Sequence, residues 1–207
     1  LPIFQEALYS VVTQTYDNFE WVVVDASPND DLWEYIQQQA EQDPRIKPIR
    51  ISTNEGISAN TNIALEAATG AFVALLDHDD TLAPHALFEV VRTIHQYPDV
   101  DLIYSDEDKI NEDGQRCEPL FKPDWSPEMM LCVNLITHLA VFRRSILDDI
   151  GLLDPKMDGA QDWDLFLRIS EKTDRIYHIP QILYHWRMTP QSTSQNSSNK
   201  DVQAVQK

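Results

Sequence analysis

Apolar residues recur along this chain with two periods, and the switches between them outline an α/β protein. Ile3, Phe4, Ala7, Leu8, Val11 and Val12 fall at helical spacing, which predicts a helix over residues 3–15. Residues 19–25 (FEWVVVD) then run apolar into Asp25, the pattern of a buried strand. A second helix extends to about Gln42, capped by Ser27 or Asn29 and closed by Asp43-Pro44. Residues 46–51 alternate as a short strand, Asn54-Glu55-Gly56 makes a turn, and helical spacing returns from Ser58 to Ala68 until Gly70 stops it. Six apolar residues, AFVALL (71–76), read as a strand buried on both faces and lead into Asp77, His78, Asp79 and Asp80. Strand, helix, strand, helix, strand at this spacing predicts a doubly wound α/β sheet.

The second half is less regular. A helix from Pro84 to about Tyr97 precedes residues 101–106, again a strand ending in acid. From Glu107 to Leu135 the pattern is irregular, interrupted by Pro119, Pro123 and Pro127. Residues 138–142 predict a short strand, 143–150 and 161–169 helices, and 176–187 an extended segment. Residues 192–200 are polar and linker-like, and the chain opens without methionine in a helical pattern. Both features suggest a piece of a longer protein.

Length and composition fit one large domain, or one domain plus an appendage, with a real core: 207 residues, 43% hydrophobic. The formal charge of −18, from 16 basic against 34 acidic residues, disfavours a nucleic-acid backbone or an anionic membrane surface as partner. Cys117 and Cys132 show neither metal-ligand spacing nor a disulfide framework, which suggests a reducing compartment. No apolar run reaches transmembrane length.

Most of the excess acid serves solubility, but Asp77 and Asp79 sit where solubility does not explain them. Carboxylates crowded at a strand end repel one another unless a cation or donors neutralise them. That edge of an α/β sheet is also where ligands bind, and a divalent ion carrying a phosphate suits it. Asp80 reads equally as a cap for the following helix. Asp25 is either a turn residue or another carboxylate at the same edge. Asn54, before a helix, belongs to a loop whose backbone donors can meet an anion at the helix N-terminus. Asp162 is either a helix cap or a general base, with Trp163 beside it as a platform for an acceptor sugar ring. His185 is either a packed histidine or completes a metal site, and Arg187 can face a phosphate. His138 and His178 read as structural. The absence of a Walker pattern, a Gly-x-Gly-x-x-Gly run and a serine elbow disfavours P-loop ATPases, dinucleotide oxidoreductases and serine hydrolases.

Several segments occur in one order: SVVTQTYDNFEW (10–21), DAS (25–27), NEGIS (54–58), LLDHDD (75–80), YSDEDKI (104–110), FKPDWSP (121–127), GAQDWDLFLR (159–168) and LYHWR (183–187). Over about residues 5–190 they closely resemble family 2 glycosyltransferases of the GT-A fold. The bacterial polysaccharide and O-antigen branch, with its rhamnosyltransferase-like members, is nearest.

The resemblance implies a Rossmann-like mixed sheet flanked by helices, lacking the first strand with which family members begin. It implies a catalytic domain over residues 1–190, with 191–207 a polar linker or the start of a following segment. Asp25 matches the residue that recognises the nucleotide base. Asp77 and Asp79 match the Asp-x-Asp pair that binds the ribose and Mn²⁺ or Mg²⁺, His185 a further metal ligand, and Asp162 the catalytic base of inverting members. The implied partners are a nucleotide-diphosphate sugar and a saccharide or lipid-linked acceptor, in the cytoplasm or at the inner face of the cell membrane. A sugar nucleotidylyltransferase and a non-catalytic sugar- or nucleotide-binding module are the alternatives.

Overall fold

The computed structural model describes residues 1–188, so the linker expected at 191–207 lies outside the described residues. Helix α1 (Pro2–Val12) buries Phe4, Ala7, Leu8 and Val11, the face its spacing predicts. Strand β1 (Trp21–Asp25) pairs in parallel with β2 (Ile46–Arg50) across helix α2 (Asp31–Gln42). Phe4, Leu8, Val23, Ile36 and Ile46 close a small core over this pair. Helix α3 (Ile57–Ala67) leads to β3 (Phe72–Ala74), then β4 (Thr81–Leu82) and α4 (Ala86–Gln96). There follow β5 (Leu102–Ile110), β6 (Arg116–Leu120), α5 (Pro127–Met130), β7 (Ala140–Arg143), α6 (Leu147–Ile150), α7 (Gln161–Ser170) and β8 (Ile176–Arg187).

Among the described residues β1 and β2 form one sheet. The second is mixed, in the order β3-β7-β5-β8-β4, with β6 also on β5. Strand β5 runs parallel to β8 and antiparallel to β6 and β7. Successive residues of β5 serve opposite faces, as a pleated strand requires. Leu102 and Tyr104 join the core under α7, with Leu165, Phe166 and Ile169, while Ile103 joins the core under α4, with Ala86 and Val90.

Three expectations change. The doubly wound sheet becomes a two-stranded parallel unit beside a mixed sheet, because β7 returns antiparallel between β3 and β5. The 71–76 run is not a strand buried on both faces. Only Phe72–Ala74 are extended, half-buried or exposed, since β3 pairs on one side only.

The third change concerns β5, which does not end in acid but continues through Asp106, Glu107 and Asp108, all buried. A buried charge is tolerated when it is paired. His178 Nε2 lies 2.8 Å from Asp106, Lys122 Nζ donates to Glu107 at 3.0 Å, and His185 Nδ1 lies 2.6 Å from Asp108. His178 is structural, as read. The segment expected to be irregular contributes β6, α5 and the buried lysine.

Candidate active site

The turn after β3 carries three aspartates with different fates. Asp80 is fully buried, where the Tyr184 hydroxyl donates to Oδ2 (2.6 Å) and the Arg187 amide to Oδ1 (2.7 Å). Burial pushes its carboxyl up to about 7 despite those two donors. Asp77 is open to solvent, and Asp79 keeps a quarter of its side chain accessible. Lost hydration raises the Asp77 carboxyl, His138 lowers it, and the charges of Asp79 and Asp162 raise it again.

His138, which the sequence left as structural, joins this turn. A ring nitrogen of His138 and one carboxylate oxygen each of Asp77 and Asp80 lie within 4.8 Å of one another. Its ring stacks on Tyr184 at 4.5 Å and tilts against Trp186 at 5.6 Å. Glu107 Oε2 accepts the His138 amide (3.1 Å) and the Thr137 hydroxyl (2.7 Å), and lies 3.4 Å from His138 Nδ1. Lys122 Nζ donates to Glu107 and to the carbonyls of Ile136 and His138. Burial alone would raise the Glu107 carboxyl, but His138 and the Lys122 charge hold it at about 2. Burial lowers Lys122, whereas for His138 the Glu107 carboxylate outweighs burial and the net direction is up.

His185, the expected metal ligand, stands apart from this group. Strand alternation brings Tyr184 and Trp186 to His138 and turns His185 to the opposite face of β8. There its Nδ1 meets Asp108, which also accepts from Arg116 Nε at 2.6 Å. Burial lowers the His185 pKa. Arg187 does not face an open phosphate site either, because Nε donates to the Asp79 carbonyl (2.8 Å) and Nη2 to Glu6 (2.5 Å).

Helix α7 places Asp162 in its first turn. Asn134 Nδ2 donates to Asp162 Oδ2 at 2.8 Å, and Asp162 is near enough for its charge to act on Asp77. The Trp163 indole donates to the Met130 carbonyl (2.8 Å) and packs against the core, so the expected acceptor platform is tied into the fold.

Asp25 is not presented as an open group, whereas Asn54 is exposed with only its Oδ1 engaged. Asp25 is buried, with Arg50 Nη1 at 2.5 Å from Oδ2 and the Ser27 amide at 2.9 Å from Oδ1. Asn54 Oδ1 accepts from the Gly56 amide (3.1 Å) and Asn60 Nδ2 (2.9 Å). The N-terminus of α3 does meet an anion, but it is the protein's own. Asp158 Oδ1 accepts from the Ser58 amide (3.2 Å) and hydroxyl (2.5 Å).

Two carboxylates and an imidazole make a donor set that fits Mn²⁺ or Mg²⁺. Since both oxygens of Asp80 are engaged, the groups left for an ion are Asp77 and His138, with Asp79 two residues along.

The fold recurs in solved glycosyltransferases of the GT-A fold. The chain is similar to S. aureus TarS 1–349 in complex with UDP-GlcNAc, with a TM-score of 0.74 at 21% identity over 91% of this chain and 56% of that one. It is also similar to the mannosyltransferase PcManGT from Pyrobaculum calidifontis in complex with GDP-Man and Mn²⁺. There the TM-score is 0.72 at 20% identity, over 100% of this chain and 61% of that one.

The model of glycosyl transferase family 2 matches residues 1–151, and the chain belongs to that family. It is 39% identical over 199 residues to the O-antigen biosynthesis protein RfbC of Myxococcus xanthus, covering 96% of this chain and 16% of the relative. With the chondroitin synthase of Pasteurella multocida it shares 25% identity over 92% of this chain and 20% of that protein. The chain thus spans about a fifth of the length of these curated relatives. Among the described residues no helix is long and apolar enough to cross a membrane.

Proposed function

We propose that residues 1–190 are a catalytic domain that moves a sugar, with inversion, from a nucleotide diphosphate to a hydroxyl acceptor in cell-surface polysaccharide synthesis. The observation that carries this is the meeting of two carboxylate sites from distant parts of the chain. Asp77 and Asp79 follow β3, and Asp162 opens α7 close enough to influence Asp77. One site suits the leaving diphosphate and the other the attacking hydroxyl.

Asp77 and Asp79, with His138 behind them, are the residues that would hold Mn²⁺ or Mg²⁺. When bound, such an ion supplies positive charge against the diphosphate. Asp162 takes the proton of the acceptor hydroxyl through the oxygen that Asn134 leaves free. The hydroxyl attacks the anomeric carbon from the face opposite the diphosphate, so a single displacement inverts the configuration. The donor nucleotide is of the UDP, GDP or dTDP class and the acceptor a saccharide, free or lipid-linked. The reaction takes place in the cytoplasm or at the inner membrane face.

Calorimetry with UDP, dTDP and GDP, with and without Mn²⁺, tests the donor half. The acceptor half is tested by Asp162→Asn, which should keep nucleotide affinity and lose transfer by a factor on the order of 10²–10⁴. Undiminished transfer would refute the base assignment.

A further inference from the structure

The turn that carries Asp77 and Asp79 has little of its own to hold it. Its one internal backbone bond, Asp80 amide to Asp77 carbonyl, is 3.3 Å long. Like charges two residues apart tend to splay such a turn. Strand β8 supplies what the turn lacks. The Tyr184 hydroxyl donates to Asp80 Oδ2 (2.6 Å) and accepts the Asp77 amide (3.3 Å), so one oxygen ties both ends. Arg187 adds its amide on Asp80 Oδ1 (2.7 Å) and Nε on the Asp79 carbonyl (2.8 Å), and its Nη2 reaches Glu6 on α1 (2.5 Å).

We propose that Tyr184 and Arg187 are positioning residues, which hold the Asp77–Asp79 pair in the geometry that receives the donor diphosphate and its cation. The proposal rests on the donor-site reading above. Asp80 is then an anchor rather than a third ligand. Three carboxylates in four residues are tolerated because one is buried and satisfied by β8 while two stay at the surface. Tyr184 also carries the stacked His138, so one side chain sets both the turn and the imidazole beside it. Neither Tyr184 nor Arg187 offers a free group to the donor. Tyr184 is fully buried, its hydroxyl engaged on both sides, and Arg187 is 9% accessible with its guanidinium committed to Asp79 and Glu6. Residues that orient ligands from behind typically matter 10- to 100-fold for metal affinity, and preorganisation of this kind is what a binding constellation needs.

Tyr184→Phe removes one oxygen and keeps the ring. Two measurements are made on the chain: Mn²⁺-dependent UDP and GDP affinity, and amide hydrogen exchange over residues 77–80 without nucleotide. Exchange at 77–80 should rise about fivefold or more while that of β5 stays unchanged. The nucleotide Kd in Mn²⁺ should rise roughly 10-fold or more, with KM rising more than kcat falls. Arg187→Lys should recover part of the affinity lost in Arg187→Ala, and it carries the same test if Tyr184→Phe does not fold. Unchanged exchange at 77–80, or unchanged nucleotide affinity in a parent protein that binds, overturns the proposal. If the parent binds neither nucleotide in Mn²⁺, the donor-site reading fails, and exchange alone decides whether β8 holds the turn.

Discussion

Asn134 and Asp162, 28 residues apart in sequence, are joined by a 2.8 Å hydrogen bond from the amide Nδ2 to carboxylate Oδ2. The bond occupies one oxygen of the proposed base and fixes the direction of the other. Asn134→Ala should therefore lower the transfer rate about tenfold with nucleotide affinity unchanged, a smaller loss than that of Asp162→Asn. Steady-state kinetics at saturating donor would show it, and an unaltered rate would mean that the carboxylate needs no such support.

The buried Lys122–Glu107 pair gives a stability prediction. Glu107→Gln leaves the Lys122 ammonium buried without its counter-charge. The expected cost is about 3–5 kcal/mol by urea denaturation. Adding Lys122→Met should recover much of it. A single variant as stable as the parent would show that the ammonium finds another partner.

The same carboxyl predicts an acid response. Glu107 sits at about 2 in the folded protein, below its ordinary 4.5. Its stabilisation is complete above the unfolded value and is lost as pH falls from about 4.5 toward 2. Across that window the parent should lose stability faster than the Glu107→Gln/Lys122→Met double variant. Parallel pH profiles would contradict the assignment.

Metal affinity separates the two histidines of interest. His138 lies with Asp77 and Asp80, whereas His185 is committed to Asp108 on the opposite face. Mn²⁺ titration followed by electron paramagnetic resonance should show roughly 10-fold weaker binding in His138→Gln and little change in His185→Gln. The reverse ranking would return ligation to β8.

Gly56 links the two halves of the chain through a close approach. It adopts φ 103°, and a Cβ there would lie 2.7 Å from Asp158 Oδ2, the carboxylate that caps α3. Gly56→Ala should cost roughly 1–3 kcal/mol from backbone strain and loss of that approach. A thermal melt within one degree of the parent would show that the loop relaxes freely.

Local pattern carried much of the fold. The apolar face of α1, the helical spacing of α3 and α7, and the extended run of β8 appear where periodicity places them. Asp77, Asp79 and Asp162 were marked by abundance of acid next to an apolar run or a helix start. His138 is not marked by its neighbours, because nothing within nine residues of it is acidic. Its partners Glu107 and Asp77 come from other strands and turns. Asp106, Glu107 and Asp108 were misplaced for the same reason, since their counter-groups lie at 122, 178 and 185.

The sequence by itself determined most of the segments that are helical or extended, and where carboxylates crowd beyond what solubility explains. These follow from side-chain period and like-charge repulsion, which act over a few residues. Only the tertiary structure decided which of those carboxylates remain open. Asp80 is consumed by Tyr184 and Arg187 and Asp25 by Arg50, while Asp77 and Asp79 keep an open side. The physical reason is that a buried charge needs a partner, and the partner comes from whichever strand the fold lays beside it.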